Sequence, residues 1–567
     1  MRWLLLLVAA GALYAAPKAT PADFDRLVDR YFDDYFHYNP TAGTSAGFHQ
    51  YDSQLEDYAL ATIAAEIRAL RHFLTEFEQF PAAVLSPEEA ADRELVIRNI
   101  ESQLLELETI RMWEKNPDTY SSGMTSSAYV IISRTFAPAA ERLRSLIERE
   151  RRMTTVLGEA RRNLRNPPRI YTEVALEQLP GNIAFFKNDV PAAFKTVSDT
   201  GLLAEFHDAN QAVISGLEDY QKFLKNNLLA RSKGDFRIGA ANYAKKLSYD
   251  EMVDTPVDQL LEIGFRNLHE NQEAFRKTAA KIDPKRTPQE ILQELEKDHP
   301  APDQLLQTFR DALGGMRRFV IEHKIATIPS TVEPIVEETP PFMRALTTAS
   351  MDTPGPFEKV AKEAFFNVTL PEPGWSRERS EELMEDFNRG TIVSTGVHEV
   401  YPGHYVQFLW VKQAPSKVRK LIGAGTNAEG WAHYCEQMML DEGYGNGDPK
   451  LRLGQLQDAL LRNARYIVGI EMHTGKMTFD QAVDFFVKEG HQTHAVAELE
   501  TKRGTSDPTY LVYTLGKLEI LKLREDYRKQ RGATFTLLDF HDAFLRQGFP
   551  PIKIVRRALL GNDSPVL

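Results

Sequence analysis

Apolar residues recur every three or four positions through most of the chain, which is the spacing of one face of an α-helix. Near the N-terminus, Phe24, Leu27, Tyr31 and Tyr35 follow this spacing. The same pattern predicts helices over residues 63–80, 87–113, 134–164, 202–229, 257–282 and 376–560. No fixed-period repeat accompanies it. We therefore expect a mainly α fold.

Three segments depart from the helical pattern. Residues 39–47 are rich in Gly, Pro, Thr and Ser and predict a break between helices. Residues 328–341 hold four prolines among β-branched residues, which predicts an edge strand or an extended linker. Residues 364–370 are aromatic and β-branched, end before Pro371, and predict a strand. A small β-sheet should therefore lie just before the candidate chemistry.

Composition narrows the class of protein. The 567 residues are 43% hydrophobic and 26% charged, which is ordinary for a soluble globular protein. The net charge of -12 repels phosphate backbones, so we expect no nucleic-acid partner. The single cysteine, Cys435, excludes an internal disulfide and a four-cysteine metal site within the chain.

The first sixteen residues have the features of a secretory signal peptide. Arg2 precedes an apolar run that is too short to span a bilayer, and small residues suited to cleavage follow. No cysteine follows the run to carry a lipid anchor. We predict an exported protein, periplasmic or secreted, that is not inserted in the membrane after cleavage. Residues 17–567 would form one large domain.

Two histidines with an unusual spacing suggest metal chemistry. His398 is followed by Glu399, and His404 comes six residues after the first histidine. The zinc-peptidase motif H-E-x-x-H instead places its histidines four residues apart on one helix face. On a straight helix, a spacing of six turns the two side chains about 120° apart. Because Pro402 and Gly403 intervene and Pro402 removes a backbone hydrogen bond, we expect the helix to bulge or break and bring the histidines together.

A second motif follows about 25 residues later. Glu429, His433 and Glu436 stand at i, i+4 and i+7, on one stripe of a helix that is otherwise largely apolar. Charged groups there are costly to bury unless they are paired or bound to metal. We predict a zinc ion held by His398, His404 and Glu429, with His433 and Glu436 orienting the ligands or contacting substrate. His433 in place of Glu429 remains an alternative third ligand.

These residues resemble a known family. The segments HEVYPGH at 398–404 and EGWAHYCE at 429–436 are similar to the bacterial domain-of-unknown-function 885 family, which is grouped with helical zinc peptidases. Softer similarity covers residues 39–42, 47–52, 513–517 and 540–542, and thus nearly the whole mature chain. Tyr405 stands where the family pattern often has a second histidine, and we assign it no ligand role.

The resemblance implies a fold and a reaction class. The expected fold is a largely helical, two-lobed peptidase body with a deep cleft, with lobes at about 17–325 and 326–567. Angiotensin-converting enzyme and the thermostable carboxypeptidases are distant analogues. The resemblance implies metallopeptidase chemistry without a particular substrate.

The expected reaction is hydrolysis of a peptide bond by zinc-activated water. Glu399 would accept the proton of that water and deliver it to the leaving amine. The developing oxyanion needs a further donor, for which Tyr513 and Tyr510 are the candidates. Arg503 is a candidate for holding a peptide carboxylate. The strand around Phe366 is a candidate for pairing with an extended substrate.

Other histidines and other functions stay open at this stage. His473 and His494 lie outside both motifs and are candidates for substrate contact. The metal could instead serve hydrolysis of another amide, such as an N-acyl amino acid, or could be structural in a helical binding protein. An intact Glu399 beside His398 argues against a purely structural metal. Exo- or endopeptidase action, side-chain preference and oligomeric state are not determined.

Overall fold

The computed structural model describes residues 19–340, 343–344 and 347–567. These residues form a mainly α-helical fold with one small three-stranded sheet, which confirms the predicted fold class. The predicted signal peptide lies outside the described residues. Within the described part, no helix is both long and apolar enough to cross a membrane.

The N-terminal half is built from helices that the apolar spacing largely predicts. In order, the α-helices before the sheet are α1 Pro21–Tyr38, α2 Pro40–Ala46, α3 Leu60–Gln79, α4 Pro87–Leu105, α5 Met112–Lys115, α6 Asp118–Ile132, α7 Ala139–Asn163, α8 Arg169–Ala184, α9 Val190–Ala193, α10 Thr200–Phe223, α11 Leu229–Arg231, α12 Ala240–Asp250, α13 Val257–Ile282, α14 Pro288–Leu295 and α15 Leu305–Glu322.

Two features of this half differ from the sequence prediction, namely the break at 39–47 and the continuity of two long helices. The predicted break at 39–47 is mostly helix α2, because Pro40 suits the first helical turn and Gly47, with φ of 98°, ends the helix. Two predicted long helices are each interrupted by a π-helical turn, at Glu106–Ile110 and Leu224–Leu228. The turn-forming residues at 39–47 therefore mark the two ends of a short helix and do not form a loop.

The sheet contains β1 Ile335–Glu338, β2 Ala349–Asp352 and β3 Phe365–Val368. β3 lies in the centre, parallel to β1 and antiparallel to β2. β1 and β3 confirm the two strand predictions, whereas β2 was not predicted. The expectation that the strand around Phe366 pairs with a substrate is wrong, because both of its edges are already hydrogen-bonded. Among the described residues, β1 and β2 are the edge strands of this sheet.

Helices resume after Ser376, whose side chain accepts a hydrogen bond from the backbone at the start of α16. The remaining α-helices are α16 Arg377–Glu385, α17 Arg389–Glu399, α18 His404–Val411, α19 Lys417–Leu421, α20 Gly425–Asp441, α21 Pro449–His473, α22 Phe479–Lys488, α23 His494–Ser506, α24 Val512–Arg531, α25 Leu537–Leu545 and α26 Ile552–Leu560.

Two glycine contacts hold the helices of the candidate site unusually close. A Cβ at Gly430 of α20 would lie 2.6 Å from the backbone of Gly516 in α24. A Cβ at Gly454 of α21 would lie 2.8 Å from the backbone of Gly390 in α17. Neither position has room for a side chain, so α20 and α24, and likewise α17 and α21, pack backbone to backbone. This packing brings the chemistry-bearing residues of four helices to one cleft.

The apolar core connects distant parts of the sequence. Phe309 of α15 packs edge-on against Phe366 of β3, with 5.1 Å between ring centroids. Ile422 and Ile554 belong to the same buried cluster as α1, α3 and α4. Apolar contacts therefore join both sides of residue 325, and the division into lobes at that point stays a prediction.

Candidate metal centre and cleft

The helix that carries His398 ends just after it, which confirms the predicted interruption. α17 ends at Glu399, α18 begins at His404, and the peptide bond before Pro402 is cis. At Gly403 a Cβ would lie 1.8 Å from the carbonyl oxygen of His398. Only glycine fits where the chain folds back this closely, and the fold-back places the second histidine opposite the first.

Three side chains converge at this break. Nε2 of His398 lies 3.4 Å from Oε2 of Glu429, and Nε2 of His404 lies 3.3 Å from the same oxygen. Ligands about 2.0–2.1 Å from a tetrahedral zinc ion are separated by about 3.3 Å from one another. Within the described residues, these three side chains form the one group of His, Cys, Asp and Glu ligands close enough to share a metal ion.

The state of these groups also suits a cation. Oε2 of Glu429 is buried and has no hydrogen-bond partner among the described residues, and the same holds for Nδ1 of His404. Burial alone would raise the pKa of Glu429, but the two neighbouring imidazoles, His404 foremost, hold it well below its usual value. Burial would lower the pKa of His398, but Glu429 and Glu436 outweigh this effect and raise it to about 9, so this imidazole is protonated and pairs with Glu429 when no metal is bound. A zinc ion would fit here by replacing that proton.

Glu436 fixes the orientation of the first histidine. Its Oε1 accepts a hydrogen bond from Nδ1 of His398 at 2.7 Å and lies 2.9 Å from Nη2 of Arg462. Burial would raise the pKa of Glu436, but the charge of Arg462 and the hydrogen bonds from His398 and His433 hold it well below its usual value. The carboxylate thus stays ionised, and with Nδ1 donating to it, Nε2 of His398 is left to face Glu429.

His433 lies on the other oxygen of Glu436. Its Nδ1 is 2.9 Å from Oε2 of that carboxylate. Burial, together with the charge of Lys517, lowers the pKa of His433 to about 3, so the ring is neutral and donates this hydrogen bond. The structure therefore brings Glu429, rather than His433, to the histidine pair, while His433 and Glu436 take the supporting positions predicted for them.

Glu399 faces the same cavity from the last position of α17. It is partly buried, and no hydrogen bond or ion pair engages its carboxylate within the described chain. Burial raises its pKa, while the charges of His398 and His404 oppose the rise. A carboxylate beside the ligands with no partner of its own has the properties required of a general base.

Tyr513 and Arg503 lie together at one end of the cavity. The ring of Tyr513 is nearly parallel to that of His398, with 6.2 Å between centroids. Nη2 of Arg503 donates to Oη of Tyr513 at 3.2 Å. Burial and the charge of Glu429 raise the pKa of Tyr513, which keeps its hydroxyl protonated and able to donate. Both predicted residues therefore belong to the cleft.

The other three predicted substrate residues lie elsewhere. His473 is buried, its Nε2 is 2.7 Å from the carbonyl of Gly504, and it lines a separate cavity. The buried ring of Tyr510 packs against Gly504 and does not line the cleft. His494 is exposed at the start of α23 and is also absent from the cleft lining. Sequence position close to the motifs did not place these side chains in the site.

The cleft has a volume of about 550 Å³ and contains all three candidate ligands. β2 forms part of its wall through Ala349, Ser350 and Met351. Among the described residues β2 is an edge strand, so an extended chain could pair with its outer backbone groups, except the Ala349 carbonyl, which accepts a hydrogen bond from Oγ1 of Thr347. The predicted contact between the sheet and the cleft is present, but it is made by β2 rather than by β3.

Sequence reasoning missed the arginines of α21. Arg462 pairs with Glu436, and Arg465 makes two hydrogen bonds to Glu500, at 2.6 and 2.8 Å. Their guanidinium carbons lie 5.7 and 5.0 Å from the ring centroid of Tyr513. The signal was available, since charged residues three apart on a mostly apolar helix demand partners just as Glu429 does.

Comparison with known proteins supports the resemblance at the level of the whole chain. A family model described as "Bacterial protein of unknown function (DUF885)" matches residues 40–559. No curated protein matches the chain. The match includes both histidine–glutamate motifs and most of the helical body.

Two solved structures share the fold. One, from Shewanella oneidensis, is described as a lipoprotein of unknown function; it is 27% identical, with a TM-score of 0.78, and the alignment covers 95% of this chain and 99% of that one. Another, described as a lipoprotein from Colwellia psychrerythraea, is 16% identical, with a TM-score of 0.80 and the same coverages. Both agree in architecture along nearly the full length.

Proposed function

This chain belongs to the bacterial DUF885 family, and we propose that it is a zinc-dependent metallopeptidase that acts outside the cytoplasm. The observation that carries the proposal is the convergence of His398, His404 and Glu429, whose ligand atoms all lie within 4.8 Å of one another. Oε2 of Glu429 lies 3.4 and 3.3 Å from the two histidine Nε2 atoms, and Glu399, which has no partner among the described residues, lines the same cleft. A structural zinc site would be closed by a fourth protein ligand, whereas three ligands leave one position for chemistry.

The donor set favours zinc over harder or softer ions. Two imidazoles and one carboxylate suit zinc, whereas magnesium and calcium prefer oxygen ligands and copper(I) prefers sulfur. When bound, zinc supplies Lewis acidity that activates water and polarises a carbonyl group.

Glu399 would transfer the proton in the reaction, and Tyr513 would stabilise the developing negative charge. The carboxylate of Glu399 accepts a proton from the attacking water and returns it to the leaving amine. Tyr513 accepts a hydrogen bond from Arg503, which leaves its own O–H free to donate to the substrate carbonyl oxygen as negative charge develops. Glu436 keeps His398 in the tautomer that faces the ligand cluster.

The cleft suits a peptide. An extended backbone could add to β2, an edge strand of the described sheet whose residues 349–351 line the cleft that holds the ligand cluster. A volume of about 550 Å³ is large enough for several residues of a substrate chain. These features support peptides over small N-acyl amino acids.

Export is supported from two sides. The first sixteen residues have the composition of a signal peptide. The 27%-identical relative is described as a lipoprotein, a class of exported protein. We infer that the mature protein is periplasmic or secreted.

Metal analysis followed by peptide digestion tests the proposal. Protein purified without chelator should hold one zinc ion per chain and should cleave members of a mixed peptide library, with the products identified by mass spectrometry. N-acyl amino acids, tested in parallel, should turn over far more slowly. Zinc-loaded protein that cleaves N-acyl amino acids but no peptide would replace the proposal with the amide-hydrolase alternative, and cleavage of neither would leave a binding protein.

A further inference from the structure

Arg503 has hydrogen-bond donors to spare at one end of the cleft. Its side chain is 33% exposed and lines the same cavity as the candidate ligands. Within the described chain it bonds only through Nη2, to Tyr513 at 3.2 Å and to Asp507 at 3.4 Å. A guanidinium carries five N–H donors, so the one on Nε and the two on Nη1 remain for an incoming group.

The neighbouring arginines are committed elsewhere. Both oxygens of Glu500 engage Arg465, and Glu436 engages Arg462. All three guanidinium groups nevertheless lie within 5.9 Å of the ring centroid of Tyr513. An anion at this end of the cleft would therefore meet direct donors from one arginine, while the charges of the other two are balanced by their own carboxylates.

Two further cavities lie near the cleft, and Arg503 lines neither of them. A neighbouring cavity of about 650 Å³ shares lining residues with the cleft, and none of the three arginines lines it. The shared residues are Thr347, Thr348, Glu385, Asp386, Val496 and Leu499. Asp507, which pairs with Arg503, lines a separate cavity with His473 that shares no lining residue with the cleft. The lining of the cleft is thus shared with the cavity past the start of β2 and not with the cavity at Asp507.

We propose that Arg503 binds the C-terminal carboxylate of the substrate, so that the protein removes residues from the C-terminus of peptides. The inference rests on the proposed peptidase function. A carboxylate is planar and accepts two parallel N–H bonds from a guanidinium. An internal peptide segment offers no terminal carboxylate at this point, so it would leave these donors without a charged partner. In the reaction, water adds its oxygen to the acyl carbon, the C–N bond breaks, and the proton passes to the released amine.

Three peptides of one neutral sequence test the inference. The first has a free C-terminal carboxylate, the second a C-terminal amide, and the third an amide with Asp as its last residue. We expect kcat/KM for the free acid to exceed that for the neutral amide by about 10- to 100-fold. This ratio corresponds to the free energy that hydrogen bonds to a charged group contribute. Products should lack residues from the C-terminus only. Equal rates, or cleavage at internal bonds, would overturn the inference.

Variants locate the effect. Arg503→Met should reduce the ratio of kcat/KM for the free acid to kcat/KM for the amide to near one. Both rates should also fall, because Tyr513 loses the hydrogen bond that it accepts from Arg503. Lys502→Met removes the same charge from the neighbouring position, which pairs with Glu177 on the surface, and should change neither rate. If Arg503→Met does not fold, the rates of the three peptides on the wild-type protein still test whether a C-terminal carboxylate is recognised. Rapid cleavage of the Asp amide would assign the site to a side-chain carboxylate and reject C-terminal action.

Binding separates this inference from the proposed function. Fluorescence polarisation with the labelled free acid and its amide is measured on Glu399→Gln protein. If the wild type cleaves no peptide, the peptidase proposal fails, yet tenfold tighter binding of the free acid, lost in the added Arg503→Met change, would still support the carboxylate site. Equal binding of the two peptides would refute it.

Discussion

Replacing Glu399 with glutamine separates catalysis from metal binding. Glu399 makes no hydrogen bond or ion pair within the described residues, so the substitution removes no folding contact. It is also not one of the three side chains that converge as ligands. Glutamine has nearly the same shape but cannot accept and carry a proton. We therefore expect the variant to keep its fold and its zinc and to lose peptide hydrolysis.

The expected loss can be given a size. General acid–base catalysis by one side chain contributes about 10²- to 10⁴-fold, or about 3–5 kcal/mol of activation free energy. The assay pairs zinc content, measured by atomic emission, with kcat/KM on one susceptible peptide. The zinc content should stay near one per chain and the melting temperature within about 2 °C of wild type, while kcat/KM falls at least 100-fold.

Two matched variants make the result interpretable. Glu262→Gln, on an exposed face of α13, should leave both zinc content and turnover unchanged. Glu429→Gln should lose zinc first, because it removes the charge of a proposed ligand. Wild-type turnover in Glu399→Gln, or loss of its zinc while Glu429→Gln keeps the metal, would refute the assignment of base and ligand.

Other perturbations probe the supporting structure. Gly403→Ala should displace His398, because the added Cβ would lie 1.8 Å from the His398 carbonyl oxygen. Equilibrium dialysis should then show zinc binding at least tenfold weaker. The control, Gly123→Ala, adds a Cβ where α6 has open space, and it should lower neither the zinc affinity nor the stability. Glu150 is fully buried, and burial raises its pKa to about 9. Above pH 4.5 the folded protein keeps this proton while the unfolded chain loses it, so the free energy of unfolding falls as the pH rises. Glu150→Gln should therefore increase the free energy of unfolding by about 3 kcal/mol at pH 7 and by almost nothing at pH 4.5, as measured by urea unfolding.

Local patterns explain what could be predicted of the fold. Apolar spacing places α13 at its observed bounds of 257–282, and Ser376 marks the start of the C-terminal helices. The break between His398 and His404 follows from proline chemistry within the same few residues. Each of these signals is contained in one short segment, so no tertiary information is needed to interpret it.

Features that depend on distant partners were not predictable in this way. β2 is four residues long and has no β-branched side chain, so only its pairing with β3 reveals it. Tyr510 and Tyr513 stand three residues apart, yet one packs against Gly504 and the other faces the ligands. The difference is set by the helices that each ring meets, which the spacing along one segment does not contain.

The two glutamates of α20 show how a distant partner decides between roles. Glu429 and Glu436 lie on one stripe, seven residues apart, and either could in principle bind a metal. Arg462 of α21 forms an ion pair with Glu436 and compensates its charge. The Nδ1 atoms of His398 and His433 donate hydrogen bonds to the two oxygens of the same carboxylate. That carboxylate is thereby committed to orienting His398. Glu429 has only imidazole nitrogens near its buried oxygen, so a cation is the partner that would complete it.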